Sequence, residues 1–199
     1  MENASNTRSA TADCDWAHVT DEDRSHWDER YAGIGAAPLD RIGPPPVFAP
    51  NVGIFPTAGD ALELACGRGT LAVWLATRGM NVWGVDVSAV AVDLAQTLAI
   101  ETGVGDRCRF DVVDLDLGLP AGPPVDVIMC HWFRDPRLDE PIIERLAPGG
   151  LLAIRVLSEV GVGPGPFRAR PSELVDAFAA LDIVAADEGD GEAWLLATA

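Results

Sequence analysis

From Asp60 onward, short apolar runs alternate with stretches of helical spacing. Residues 61–65, 81–85, 107–112, 125–130 and 151–156 read as strands, and 61–65, 125–130 and 151–156 are rich in Val, Ile, Leu and Ala, as in strands covered on both faces. Residues 70–78, 89–101, 136–145 and 172–181 carry apolar side chains at helical intervals. Ser88 is placed to cap the second helix, and Gly79 and Gly103 to stop the first two. Pro148-Gly149-Gly150 is expected to turn the chain into the fifth strand. Strands alternating with helices predict a parallel sheet between two helical layers. The end of the chain breaks this pattern. Residues 183–186 and 193–198 flank Asp187-Glu188-Gly189-Asp190-Gly191, which reads as an antiparallel hairpin at a sheet edge. The expectation is α/β: one three-layer domain with a mostly parallel seven-stranded sheet and a C-terminal antiparallel hairpin.

The stretch before Asp60 has another character. Residues 1–14 are small and polar and read as a disordered tail. Residues 15–33 are expected to hold a helix. Thr20-Asp21-Glu22-Asp23 has the form of a capping box, Trp27 and Tyr31 share one face at i, i+4, and Gly33 stops it. Residues 34–59 are rich in Pro and Gly and are expected to lie over the core without regular structure. The domain thus runs over 15–199, with its strand-helix core, Rossmann-like on the resemblance given below, at 60–199.

Composition narrows the classes. The chain has 199 residues, 48% hydrophobic and 23% charged, which suits one soluble domain with a sizeable core. Its formal net charge of −17 opposes docking on nucleic-acid phosphates or on anionic membrane. Neither is expected as a partner. Cys14, Cys66, Cys108 and Cys130 form no Cys-x-x-Cys pair, so neither a metal site nor a redox motif is expected. A reducing, cytoplasmic compartment follows, and neither a signal segment nor a bilayer-length apolar run is read.

Candidate chemistry gathers where strands end. Glu63 precedes a Gly67-x-Gly69 turn that opens a helix, and the next strand ends in Asp86. Glycines let a backbone approach a nucleotide-type ligand, and an acid at the second strand's end accepts from ribose hydroxyls. An ordinary tight turn is the plain alternative. Glu63 would bind either the turn's N–H groups or a ligand ammonium. Asp114, after the third strand, can accept from an adenine amino group beside Leu115, or be a solvated loop acid. His131 ends the fourth strand as a general base or a pocket-lining histidine. Trp132 and Phe133 suit walls for an apolar substrate, or core packing. Arg155, Arg168 and Arg170 surround a Gly/Pro stretch at 161–166 that suits a lid. They would orient an anionic substrate or pair with surface carboxylates.

Several motifs are similar to those of Rossmann-type S-adenosylmethionine-dependent methyltransferases. They are Glu63-Leu64-Ala65-Cys66-Gly67-Arg68-Gly69, Asp86, Asp114 and Leu146-Ala147-Pro148-Gly149-Gly150. His26-Trp27-Asp28-Glu29-Arg30-Tyr31 resembles the N-terminal helix of the tellurite-resistance and thiopurine methyltransferase branch. The resemblance implies that Gly67 and Gly69 hold the methionine part, Asp86 the ribose and Asp114 the adenine. Trp27 and Tyr31 would close over the molecule. Ala65, Cys66, Val87, Leu115 and Cys130 would complete its surroundings. Ala65 stands where many relatives have glycine. The implied reaction is methyl transfer to a small thiol, oxyanion or other heteroatom nucleophile. A nicotinamide-dependent oxidoreductase, suggested by Gly67-x-Gly69-x-x-Ala72, and a non-catalytic binder are the rivals.

Overall fold

Alternating side-chain direction explains the unbroken apolar strands. Ala61, Val82, Val127, Met129, Leu151, Ala153 and Leu196 join one buried cluster. Leu62, Leu64, Val85, Ile128, Cys130, Leu152, Ile154 and Leu195 join another. Successive residues face opposite sides of a pleated sheet, so a sheet covered twice needs both parities apolar. The computed structural model describes residues 21–199. The strands are β1 (Asp60–Leu64), β2 (Asn81–Asp86), β3 (Cys108–Val112), β4 (Val125–His131), β5 (Leu146–Ser158), β6 (Arg168–Ala169), β7 (Asp182–Gly189) and β8 (Glu192–Thr198). The helices are α1 (Asp21–Ile34), α2 (Thr70–Thr77), α3 (Ala89–Glu101), α4 (Asp139–Arg145) and α5 (Glu173–Ala177).

The sheet runs β3-β2-β1-β4-β5-β8-β7, with β6 added to β5 off this path. β8 is antiparallel to both its neighbours, and the remaining pairs are parallel. Helices α2 and α3 pack on one face, through Leu71–Ala76 side chains, Ala95 and Leu98. The other face is covered from α4 and α5 by Ile142, Leu174 and Phe178. The chain leaves β1 toward β2 and β3, then returns to place β4 on β1's other side. That reversal opens a crevice at the carboxyl ends of β1, β2 and β4, where ligands bind in doubly wound folds.

Several local expectations change. The Pro/Gly segment is not irregular, because 3₁₀ helices form at Leu39–Arg41 and Pro46–Ile54. Proline's fixed φ suits a helical first turn, where its missing N–H is not needed. The segment still lies over the core. Phe48 meets Trp194 with centroids 5.9 Å apart, and Phe55 meets Trp74 at 5.1 Å. Helix α1 continues past Gly33 to Ile34, and Gly35 takes the left-handed φ of +66° that ends it. Pro148-Gly149-Gly150 is a bulge inside β5, since Val125 pairs with Leu146 and Val127 with Leu151. Gly149 N donates to Ala199 O at 2.8 Å, and Ala199 N donates to Gly150 O at 3.0 Å. The third strand starts at Cys108 after a 3₁₀ turn, and the last helix is shorter than expected at Glu173–Ala177. The 1–14 tail, Cys14, His18 and Thr20 of the capping box lie outside the described residues.

Candidate active site

Ser88 caps α3 as expected. Its Oγ accepts from Ala91 N at 3.1 Å. The same hydroxyl donates to Asp28 Oδ1 at 2.5 Å, and Asp28 Oδ1 also accepts from Val90 N at 3.2 Å. An acid on α1 therefore sits at the N-terminus of α3, where its charge suits the helix dipole. Arg24 Nη2 donates to Asp114 Oδ2 at 2.9 Å. Arg68 Nη1 donates to the carbonyls of Gly35 and Ala36, each at 3.1 Å. These contacts lay α1 and its exit across the crevice. Beneath them is a cavity of about 660 Å³, a size that suits a small ligand.

The turn after β1 forms the cavity floor. Cys66 N donates to Val85 O at 2.9 Å, and Gly69 N donates to Cys66 O at 2.9 Å. Gly67 has φ +52°, and a Cβ there would stand 2.9 Å from Tyr31 Oη. Gly67 is therefore a close approach between the turn and the roof helix. Gly69 has another task. At φ +74°, its added Cβ would lie 2.7 Å from Ala95 Cβ and 3.2 Å from Phe110. It packs α2 onto α3 rather than lining the cavity.

Ala65 takes φ +50° without being glycine. A left-handed L-residue costs about 1–2 kcal/mol, while glycine loses about 0.4–1 kcal/mol through the unfolded chain. Ala65→Gly is therefore expected to stabilise the protein by about 0.5–1 kcal/mol, read from the urea midpoint. A lower midpoint would mean that the methyl group makes packing contacts worth more than the strain.

Two acids face each other across this floor. Asp86 Oδ2 accepts from Gly67 N at 2.8 Å, and its Oδ1 accepts from Ser88 N at 3.0 Å. Burial raises its carboxyl above the usual range, against the N–H groups of Ser88, Gly67 and Val87. Its oxygens retain lone pairs for further donors. Glu63 is 2% exposed, and its Oε2 has no partner. Burial pushes Glu63 up to about 8, opposed by a bond from Ala72 N and reinforced by Asp86. A buried carboxyl group with an orphaned oxygen on a cavity wall ionises readily only when a donor meets it. A ligand ammonium supplies that donor, so the residues fit an amino-acid-bearing ligand.

The cavity brings together Trp27, Tyr31, Glu63, Ala65, Cys66 and Gly67 with Asp86, Val87, Leu115, His131, Trp132 and Phe133. Other expected residues stand elsewhere. Asp114 Oδ1 accepts from Asp116 N at 3.0 Å and its Oδ2 from Arg24, and its side chain does not line the cavity. Asp116 lines the cavity in its place. Cys130 is buried, its Sγ 3.2 Å from Phe133 O, and burial raises its thiol to about 12. Arg168 Nη1 donates to Ser158 O at 2.8 Å. Arg170 pairs with Glu173 at 3.5 Å on the surface. Arg155 stands behind His131 and Trp132 rather than on the wall. Trp132 is an aromatic residue at φ +64° and is 44% exposed. Its N–H donates to Arg155 O at 2.8 Å, and Arg155 Cζ lies 4.2 Å from its ring centroid. Such backbone strain persists where the surroundings enforce it, often at functional sites.

Arg30, Asp116 and Leu157 also line the cavity and were not singled out from the sequence. Arg30 is three positions from Trp27, with Cζ 5.6 Å from its ring, so the helix spacing carried that signal. The docking role of Asp28 had no local signal. Among the described residues, no group of three or more His, Cys, Asp or Glu is placed to hold a metal ion. No helix among them is long and apolar enough to cross a membrane.

A glycine turn, a buried acid on each of β1 and β2, and a crevice at the strand reversal define an α/β protein built to bind a nucleotide-like, amino-acid-bearing molecule. Residues 61–150 match the family described as a methyltransferase domain. This part of the chain is a class I, Rossmann-like, S-adenosylmethionine-dependent methyltransferase domain. The tRNA 5-carboxymethoxyuridine methyltransferase of Escherichia coli (strain K12) is 32% identical over 107 residues, covering 51% of this chain and 41% of that protein. The 2-heptyl-1-hydroxyquinolin-4(1H)-one methyltransferase of Mycobacteroides abscessus is 30% identical over 126 residues, covering 58% and 55%. The chain thus spans about half or less of the length of these relatives. TehB from Haemophilus influenzae shares the fold with a TM-score of 0.65 at 16% identity, covering 88% of this chain and 66% of that one.

Proposed function

We propose that the protein transfers a methyl group from S-adenosylmethionine to a small-molecule acceptor. The unpartnered Glu63 Oε2, buried beside Gly67 and Asp86, is the observation that carries this reading. Bound there, S-adenosylmethionine supplies an electrophilic methyl group on a sulfonium. Glu63 takes the ammonium, Asp86 accepts from hydroxyls, and the Val87 and Leu115 side chains flank the base. Trp27 and Tyr31 on α1 exclude water from above. Holding the reactants in line contributes at most roughly 7–11 kcal/mol to lowering the barrier. Trp132, Phe133 and Leu157 offer an apolar wall to the acceptor. The E. coli relative raises an RNA acceptor as the alternative. A net charge of −17 and an apolar cavity mouth at Trp27, Ile34, Trp132 and Leu157 favour a small apolar molecule. We place the protein in the cytoplasm, where the buried thiols of Cys66, Cys108 and Cys130 stay reduced.

Calorimetry with S-adenosylhomocysteine and with NADH tests this. Tight binding of the first alone is expected, and tight binding of NADH alone would eliminate the methyltransferase reading. The same titration has a proton signature. Glu63 is raised to about 8 and so is protonated at pH 7 in the free protein. An ammonium against it favours the ionised form, so binding at pH 7 releases close to one proton, roughly 0.9 by linkage. The release fades above pH 8, where Glu63 is already ionised. Heats measured in two buffers of different ionisation enthalpy give the number. No proton release would mean that Glu63 does not change its ionisation on binding, and unchanged affinity in Glu63→Gln as well would mean that it does not hold the ammonium.

A further inference from the structure

His131 at the end of β4 lies opposite Arg155 of β5 in the parallel register. Arg155 Nη1 stands 3.3 Å from His131 Nε2. A guanidinium carries only donors and keeps its charge. Nε2 is therefore the accepting nitrogen, and the ring proton is on Nδ1. The arginine is itself fixed. Its Nε and Nη2 donate to Glu192 Oε2 from β8 at 3.1 and 2.5 Å, and its Cζ lies over the Trp132 ring. The charged groups set behind the imidazole are thus Arg155 from β5 and, across it, Glu192 from β8. Trp132 flanks the ring with centroids 5.1 Å apart. Burial, then the Arg155 charge, lowers His131 to about 4. A general base needs a free lone pair and an affinity for protons near the working pH. His131 has its lone pair occupied and resists protonation.

We propose that Arg155 is a positioning residue that holds His131 as a neutral Nδ1–H donor, and that the site therefore methylates acceptors whose nucleophilic atom is already anionic at neutral pH. This rests on the methyltransferase reading. In the transfer, the acceptor's lone pair forms the bond to the methyl carbon. The carbon–sulfur bond of the sulfonium breaks and its electron pair stays on sulfur. The acceptor anion and the sulfonium both become neutral, and no proton moves.

The first test reads the ring directly. Long-range 1H–15N spectra of the full chain, with His131 assigned by His131→Asn, are expected to show one Nδ1–H tautomer that does not titrate from pH 5.5 to 8.5. In Arg155→Met the ring should titrate at a higher pH. An Nε2–H tautomer, or titration within that range in the wild type, overturns the proposal, and the wild-type spectrum decides even if Arg155→Met fails to fold. Calorimetry with S-adenosylhomocysteine separates the two levels, since absent binding sinks the methyltransferase reading without touching the tautomer. The second test uses labelled S-adenosylmethionine with thiophenol, 4-nitrophenol and phenol. At pH 7 thiophenol and 4-nitrophenol, which ionise near or below that pH, are expected to react at least tenfold faster than phenol, which stays neutral, with the gap to phenol closing as pH rises. Equal rates for 4-nitrophenol and phenol at pH 7, or no turnover of any of the three, overturns the acceptor assignment.

Discussion

Asp86→Ala is expected to weaken S-adenosylhomocysteine binding by roughly 10- to 150-fold, the range of a lost charge-assisted hydrogen bond. The carboxylate does two things at once. It accepts from Gly67 N and Ser88 N, and it faces the cavity. Alanine leaves those buried N–H groups without an acceptor, at about 1–3 kcal/mol each. The variant should therefore also unfold at lower urea. Asp86→Asn separates the effects. Its shape is retained and one N–H keeps a partner, so it should be the more stable variant while still binding weakly. Calorimetry on variants shown to be folded is the measurement. Wild-type affinity in either would refute the role of Asp86 in ligand binding.

Arg134→Met should cost about 3 kcal/mol of stability, the lower end for breaking a buried ion pair. For a domain of this size that is a fall in Tm of roughly 6–12 °C. The Arg134 side chain is 2% exposed. Its Nε donates to Glu173 Oε1 at 2.8 Å and its Nη2 to Asp139 Oδ2 at 2.9 Å, with a further bond from Nη1 to Asp139 Oδ1. One cation thus joins α4 to the start of α5. Methionine fills the space but leaves two carboxylates facing each other with restricted access to water. Added salt should not remove the difference, because ions cannot reach the pair to screen it. A loss below about 1 kcal/mol would place Arg134 with ordinary surface pairs.

The centre of the sheet was legible because β1, β4 and the middle of β5 are covered on both faces, which leaves nearly every position there apolar. Glu63 and Asp86 stood out for the same reason, as acids inside apolar segments. What escaped depends on contacts distant in sequence. Nothing near Asp114 signals that Arg24 takes its carboxylate, and nothing near Gly69 signals that Ala95 crowds it. The 3₁₀ helices at 34–59 were hidden by a prolines-mean-loop reading, although proline suits a helical first turn. Arg168 and Arg170 looked like substrate ligands because the chain is acidic. That same acidity supplies Glu173, which pairs with Arg170, while backbone carbonyls occupy Arg168.

The three attachments of α1 have a kinetic consequence. Arg24 ties it to the end of β3, Asp28 to the head of α3, and Arg68 holds the segment just beyond it. On the methyltransferase reading a spent adenosyl product leaves past this helix, and Arg24–Asp114 is the ion pair among its ties that dissolved salt weakens. Release of S-adenosylhomocysteine is therefore expected to quicken as ionic strength rises, a difference that stopped-flow displacement reads directly.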